Sequence, residues 1–166
     1  GTMEDFEELL FQASARGIDV ILDLAVNHTS NEHPWFQAAS DYLLSLDAGA
    51  EPDPAECPYA DYYNFSREMK SGYTELGNGW YYEARFWSGM PDLNLDSEAV
   101  LSELEQVLSF WQDKGVKGFR LDAVTSYYTG NNSANIEFLS WINEQVKSRD
   151  PDGYLVAEAW TDAETY

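Results

Sequence analysis

Three short apolar segments most constrain the fold of this chain, because each is a nearly uninterrupted run of residues that favour buried β-strands. They are IDVILDLAV at residues 18–26, VKGFRLDAV at residues 116–124 and YLVAEA at residues 154–159. Runs without polar alternation are typical of parallel strands that are covered on both faces. A helical pattern precedes each run, so the order helix, strand, helix, strand, helix, strand predicts an α/β protein with a parallel sheet.

Capping residues mark the starts of the three helices that precede these strands. Thr2 and Asp5 have the spacing of a capping box, either Asp96 or Ser97 can cap the second helix, and Ser133 opens the third. In the third helix, the apolar positions that we expect to face inward are Ile136, Leu139, Ile142 and Val146.

The segment between the first strand and the second helix is too long for an ordinary connection, since connections of a few residues are usual in such folds. It holds a proline-rich stretch, EPDPAECP at residues 51–58, and then many aromatic residues. We therefore predict an inserted subdomain at residues 28–94, with residues 1–27 and 95–166 forming the α/β part. The aromatic residues can pack the core of a small subdomain or stack on sugar rings, and packing is the more common use.

Composition excludes several classes of partner. The 166 residues include 30 Asp and Glu against 9 Lys and Arg, a formal net charge of −21, which repels nucleic acid and anionic membranes. No apolar run is long enough to span a bilayer. Cys57 is the only cysteine, which excludes an internal disulfide and a cysteine-rich metal site. We expect neither nucleic acid nor a membrane as a partner.

Polar side chains gather where the three strands end, which is where parallel α/β barrels place their active sites. They are Asp23, Asn27, His28, Arg120, Asp122 and Glu158. A single strand-end carboxylate is as readily a helix cap or an ion-pair partner, but the same pattern on three strands favours a site. Two carboxylates and an arginine suit glycoside hydrolysis, in which one carboxylate attacks the anomeric carbon and the other protonates the leaving oxygen. This predicts Asp122 as the nucleophile and Glu158 as the acid/base.

Four segments resemble motifs of the alpha-amylase family, glycoside hydrolase family 13. They are DLAVNH at residues 23–28, MPDLN at residues 90–94, GFRLDAV at residues 118–124 and EAW at residues 158–160, and their order and spacing also match that family. The resemblance implies a partial (β/α)8 TIM barrel of about three strand-helix units with an inserted domain B-like subdomain. The chain would then be an internal fragment of the catalytic domain.

The resemblance also implies a role for each site residue. Asp122 would be the nucleophile, Glu158 the proton donor and Arg120 the support of the nucleophile, while His28 would donate hydrogen bonds to hydroxyl groups of the cleaved sugar. The residues with structural roles around them would be Asp23, Asn27 and Asp92. The substrate implied is an α-linked glucan, either an oligosaccharide or a polysaccharide.

Two departures from the family pattern affect these expectations. The family uses a further carboxylate in an Asn-His-Asp motif, and the sequence reaches Tyr166 without one; Thr125 and Ser126 occupy positions where many amylases have Lys and His. We expect the isolated fragment to be inactive and to self-associate through open strand edges. For the parent protein two alternatives stay open, a transglycosylase or isomerase of the same family and a non-catalytic amylase-like scaffold or binding protein.

The chemistry requires no cofactor, and calcium is the one candidate ion. Several members of the family hold calcium beside the inserted domain, with an asparagine at the position of Asn27. Calcium prefers six to eight oxygen ligands, and the sequence shows no diagnostic spacing for them. A zinc site is disfavoured, because no third ligand accompanies His28 and His33.

Overall fold

The computed structural model describes residues 1–161, which form four α-helices and six β-strands. The helices are α1 (Met3–Ser14), α2 (Pro34–Ser45), α3 (Glu98–Asp113) and α4 (Asn132–Arg149). The strands are β1 (Ile21–Leu24), β2 (Phe65–Ser66), β3 (Tyr73–Gly77), β4 (Trp80–Glu83), β5 (Gly118–Leu121) and β6 (Tyr154–Ala157). Short 3-10 helices span Pro58–Asp61 and Val124–Ser126. Within this described part of the chain, no helix is long and apolar enough to cross a membrane.

The chain divides into two compact units. The first unit comprises Gly1–Val26 and the described residues from Glu103 onward, and the second comprises Asn27–Ser102. The second division falls inside α3. The inserted subdomain at residues 28–94, with residues 1–27 and 95–166 as the α/β part, stays a prediction.

A three-stranded parallel sheet lies at the centre of the first unit, in the order β1-β5-β6. The middle strand pairs with both neighbours, so that Arg120 lies between Asp23 and Val156. The strands approach closely at Gly118, where an added Cβ would lie 1.7 Å from the carbonyl oxygen of Tyr154. The predicted α/β architecture with a parallel sheet is confirmed.

The residues that cap the helices agree with the predicted ones for α1 and α3 and differ for α4. Thr2 forms the predicted capping box at the start of α1. Of the two candidates for α3, Ser97 rather than Asp96 accepts the hydrogen bond from a first-turn N–H. For α4 the predicted start at Ser133 was wrong, because the Asn131 side chain provides the cap and the helix begins one residue after it.

The inward face of α4 is also displaced from the predicted one. Its buried residues are Asn135, Phe138, Ile142 and Val146. The prediction was wrong for Ile136, which is 42% exposed, and for Leu139, which is only partly buried. Asn135 takes the inward position because its side chain accepts from the Tyr128 N–H at 2.7 Å and donates to the Thr125 carbonyl at 3.3 Å.

The second unit packs α2 against a small antiparallel sheet in the order β2-β4-β3. Phe36 of α2 is buried, and its ring lies 5.1, 6.2 and 4.9 Å from those of Tyr63, Phe65 and Tyr82. These aromatic residues therefore form the core of the unit. The β3–β4 hairpin turns through Asn78 and a glycine, both with positive φ, as a two-residue turn requires.

Candidate active site

Strand register brings four charged side chains to one face of the parallel sheet. Asp23 and Arg120 are directly paired between β1 and β5. Asp122 and Glu158 each follow the last paired residue of β5 and β6 by one position. Because side chains alternate between the two faces of a strand, Asp122 shares a face with Arg120 two residues before it.

Arg120 contacts all three carboxylates in this group. Its Nη1 donates to Asp23 Oδ1 at 2.7 Å and to Asp122 Oδ1 at 2.8 Å, and its Nη2 donates to Glu158 Oε2. The hydrogen bond to Asp23 is the largest cause that raises the pKa of Arg120, followed among the raising causes by that to Asp122. The guanidinium is therefore held in its charged form, and it links the two proposed catalytic carboxylates through its two terminal nitrogens.

Glu158 has a second partner that the sequence did not predict. Trp160 Nε1 donates to Glu158 Oε1 at 2.8 Å, so both oxygens of Glu158 accept hydrogen bonds from N–H donors. Trp160 belongs to the EAW motif, but the motif assigns it no role. Its position two residues after Glu158 was the available signal, since i and i+2 side chains share a face in extended backbone.

Backbone hydrogen bonds beyond the strand ends hold the two carboxylate positions. The Asp122 N–H donates to the Leu24 carbonyl at 3.2 Å, and the Glu158 N–H donates to the Leu121 carbonyl at 2.9 Å. The Glu158 carbonyl in turn accepts from the Val124 N–H at 3.1 Å. The backbone hydrogen bonds of the sheet thus extend to Asp122 and Glu158, so the spacing of the strands fixes the spacing of these two residues.

The chain leaves the sheet immediately after Asp122 through a left-handed residue. Ala123 has φ 46° and ψ 43°, a conformation that is costly for a residue with a Cβ. Non-glycine residues held there often belong to functional sites. The sequence predicts no role for Ala123, because an alanine residue gives no indication of its backbone conformation.

The other predicted site residues lie in the second unit. His28 forms an isolated antiparallel bridge with Asp92, and its Nδ1 lies 3.0 Å from Asn27 Oδ1. Asp92 is 4% exposed, and burial raises its pKa to about 6, although its carboxylate accepts a hydrogen bond from the Arg85 N–H. Asn27, His28 and Asp92 thus form one cluster, and Asp23, Arg120, Asp122 and Glu158 form another.

The cluster of Asn27, His28 and Asp92 does not by itself make a calcium site. Asn27 Nδ2 and Asp92 Oδ1 are buried without hydrogen-bond partners, but only the second of these atoms is an oxygen, and Asn27 Oδ1 is already in contact with His28. Calcium needs six to eight oxygens. Among residues 1–161, no group of three or more His, Cys, Asp or Glu side chains is arranged to hold a metal ion.

The sequence model of the family described as "Alpha amylase, catalytic domain" matches residues 1–166. The chain belongs to the alpha-amylase family. Alpha-amylase 3 of Dictyoglomus thermophilum is 44% identical over 165 residues, which cover 96% of this chain and 30% of that protein. A trehalose synthase of Pimelobacter is 36% identical over 180 residues, which cover 96% of this chain and 29% of that protein.

Solved structures of alpha-amylase family proteins share the fold. The chain superposes on Eubacterium rectale Amy13B with a TM-score of 0.95 and 54% identity, covering 97% of this chain and 32% of that one. For a Bacillus licheniformis trehalose-6-phosphate hydrolase the TM-score is 0.80 and the identity 33%, with 98% and 33% covered. The chain thus spans about a third of the relatives it matches, and the predicted partial barrel fold is confirmed.

Proposed function

We propose that the parent protein is a retaining glycosidase that acts on α-linked glucans, with Asp122 as the nucleophile and Glu158 as the acid/base. The observation that carries the proposal is the placement of these two carboxylates at equivalent positions after adjacent parallel strands, linked by one guanidinium. Retaining glycosidases hold their two carboxyl groups close together, so that one can attack the sugar while the other reaches the leaving oxygen.

The first chemical step uses the two carboxylates in different ways. Asp122 Oδ1 accepts from Arg120, which leaves Oδ2 to attack the anomeric carbon as the bond to the leaving oxygen breaks. Glu158 must supply a proton to that oxygen. Both of its oxygens accept N–H donors here, and each oxygen has a further lone pair that can carry the proton. In the second step Glu158 removes a proton from water, which then displaces Asp122 from the sugar.

His28 is proposed to bind hydroxyl groups of the cleaved sugar. Its Nδ1 contacts a side-chain oxygen of Asn27, and in this contact Nδ1 is the donor. A neutral imidazole that donates from Nδ1 accepts at Nε2, whereas an imidazolium donates at both nitrogens. His28 therefore accepts a hydrogen bond from a sugar hydroxyl when it is neutral and donates one when it is charged.

A transglycosylase or isomerase is the second candidate, and one observation favours it. The relatives include a trehalose synthase that is 36% identical over 96% of this chain. Transfer and hydrolysis share the first step and differ in whether a sugar or water reacts with the intermediate. The products of the parent protein, separated after incubation with maltose, distinguish the two.

Activity of site variants in the full-length parent protein tests the proposal. Asp122→Asn and Glu158→Gln should each lower kcat on maltopentaose by about a thousandfold or more, and wild type should release a product of α configuration first. Asp23→Asn is the matched control, because Asp23 contacts the same arginine but is 69% exposed; it should cost less than about tenfold. A β-configured first product, or full activity of Asp122→Asn, would contradict the assignment.

The 166-residue chain on its own is proposed to be inactive. The family carboxylate expected after an Asn-His-Asp motif is absent from this sequence, and the catalytic carboxylates need the substrate to be oriented. The chain and the full-length protein should be assayed side by side at equal concentration. Turnover by the chain within tenfold of the full-length rate would overturn this expectation.

A further inference from the structure

One loop of the second unit directs aromatic side chains toward solvent. The loop of residues 86–90 follows β4, and in it Phe86 is 50% exposed and Trp87 is 65% exposed. The core aromatic residues of the same unit are buried, as described above. An indole is among the largest apolar surfaces that a side chain can offer, and here most of it remains in water.

The backbone of this loop is fixed. The carbonyl groups of residues 87–89 accept hydrogen bonds from the Met90 N–H at 2.8 Å, the Tyr82 hydroxyl at 2.7 Å and the Asn31 N–H at 2.9 Å. Because three consecutive carbonyls are engaged, the loop presents its side chains from a defined position. A ligand that binds to them therefore meets little of the entropic cost of ordering a mobile loop.

The indole of Trp87 is oriented by contact with Gly89. A Cβ placed on Gly89 would lie 2.3 Å from Cζ3 and 2.5 Å from Cη2 of the ring, so the ring lies directly against the glycine backbone. Only glycine leaves room for this arrangement. With one part of the ring covered and 65% of the residue exposed, a flat aromatic surface remains for a ligand.

The loop also contacts the residue to which the proposed function assigns sugar binding. The rings of Phe86 and His28 have centroids 6.2 Å apart, and the segment after His28 pairs with the residues after the loop through the Thr29 N–H and the Pro91 carbonyl. Trp87 is thus the residue immediately after Phe86, whose ring lies beside that of His28. Aromatic surfaces in carbohydrate sites cover the apolar face of a pyranose.

We propose that Trp87 is a substrate-binding residue that stacks on a glucosyl unit neighbouring the one bound by His28. This inference rests on the proposed function, because it takes an α-linked glucan as the ligand. Its site belongs to the second unit, whereas the carboxylates proposed to carry out the chemistry belong to the first. Trp87 is therefore expected to contribute to affinity for substrates of several sugar units and little to the chemical step.

Binding of maltopentaose to a variant that does not cleave it tests the proposal directly. The full-length Asp122→Asn protein is titrated with maltopentaose by calorimetry. Three double variants are titrated in the same way, each of which adds Trp87→Ala, Trp87→Leu or Trp87→Phe to Asp122→Asn. The alanine and leucine variants should weaken binding by about fivefold to tenfold, and the phenylalanine variant by less than about threefold. Leucine keeps an apolar side chain without a flat ring, so it separates stacking from general hydrophobic contact.

Met69→Ala is the matched control, because Met69 lies in the same unit and is 63% exposed; it should leave maltopentaose binding unchanged. Equal affinity of Trp87→Ala and Met69→Ala proteins would overturn the proposal. So would a Trp87→Ala variant that lowers Tm by several degrees at unchanged affinity, since another part of the parent would then cover the indole. The proposed function fails separately, if Asp122→Asn retains the activity of wild type.

Discussion

At the scale of single residues, Ala123 determines the direction in which the chain leaves the sheet after Asp122. Its φ of 46° is the one positive value among described non-glycine residues outside the Asn78 hairpin turn. The hydrogen bond from the Val124 N–H to the Glu158 carbonyl follows at once. A change in this backbone conformation would therefore move Asp122 relative to Glu158.

Substitutions at Ala123 should separate backbone strain from side-chain loss. Ala123→Val should lower the stability of the full-length protein by about 1–2 kcal/mol and lower kcat more than it changes KM, because β-branched residues tolerate positive φ poorly. Ala123→Gly should retain kcat within about twofold. Thermal unfolding and steady-state kinetics measure both effects. Asn78→Val imposes similar strain in the hairpin turn and should reduce Tm while kcat stays unchanged; loss of kcat there would refute a local effect.

The pH dependence of stability should report the buried carboxyl of Asp92. Its pKa is about 6 in the folded protein against an ordinary value of 3.8, so the folded state keeps the proton to a higher pH than the unfolded state does. Stability is therefore lost as pH rises from about 4 to 6, by about 2–3 kcal/mol, and the loss persists above that range. Tm measured against pH in the presence of a chelator should show this loss relative to Asp92→Asn. Parallel curves for the two proteins would contradict the burial effect.

The charged residues of the site could be predicted because alternation along a strand and pairing between strands are both readable from sequence. Asp23, Arg120, Asp122 and Glu158 come together for this reason. The contact from Trp160 to Glu158 depends on side-chain torsions after the strand has ended. The spacing of two residues indicates that Trp160 and Glu158 share a side of the backbone, but it does not specify these torsions, so the hydrogen bond itself could not be predicted.

At the scale of secondary-structure elements, sequence patterns predicted where helices and strands lie better than they predicted which of their residues are buried. The apolar run at residues 116–124 contains β5, but only four residues pair on the ladder. The buried face of α4 differs from the predicted one because the polar side chain of Asn135 is buried and held by hydrogen bonds. Hydrophobic periodicity assigns polar residues to the exposed face, so it could not predict this. Helix α2 was not predicted, although Pro34 at its first turn is a recognisable start signal. The His33 side chain that caps it is not one of the usual capping residues.

The cap of α3 can be tested with its two neighbouring candidates. Ser97 Oγ accepts from the Val100 N–H at 3.5 Å and donates to Asp61 Oδ2 at 2.5 Å, and the residue is 4% exposed. Ser97→Ala should therefore lower the free energy of unfolding by about 1–2 kcal/mol. Asp96→Ala, at an exposed position, should cost less than Ser97→Ala does, because Ser97 is the buried residue of the two. Chemical denaturation measures both, and equal losses would contradict the role given to Ser97.

At the scale of the whole molecule, open strand edges favour association of the chain with itself, whereas its net charge opposes it. Among the described strands, β1 and β6 each pair only with β5, so each has an edge that another chain can join. The formal net charge of −21 repels a second copy, and salt screens this repulsion within about 10 Å at 0.1 M. Association of the 166-residue chain should therefore depend on ionic strength.

Sedimentation of the isolated chain should show this balance. We expect larger species at 0.5 M NaCl than at 0.02 M, because edge pairing is favoured once the charges are screened. Val156→Lys, which places a charge on the edge strand β6 at a position 38% exposed, should reduce the association at both salt concentrations. A chain that stays monomeric at high salt would show that the edges are protected.

The ion pairs around Arg120 also determine which charges the site tolerates. Three carboxylates contact one guanidinium, so the group carries two negative charges in excess when all of them are ionised. On the proposed function, a sugar that develops positive charge at its anomeric carbon would be stabilised there, whereas a ring bearing a carboxylate near that carbon would be repelled. A cationic imitation of the sugar should thus bind more tightly than a neutral one of the same shape, and uronic acids should be poor substrates.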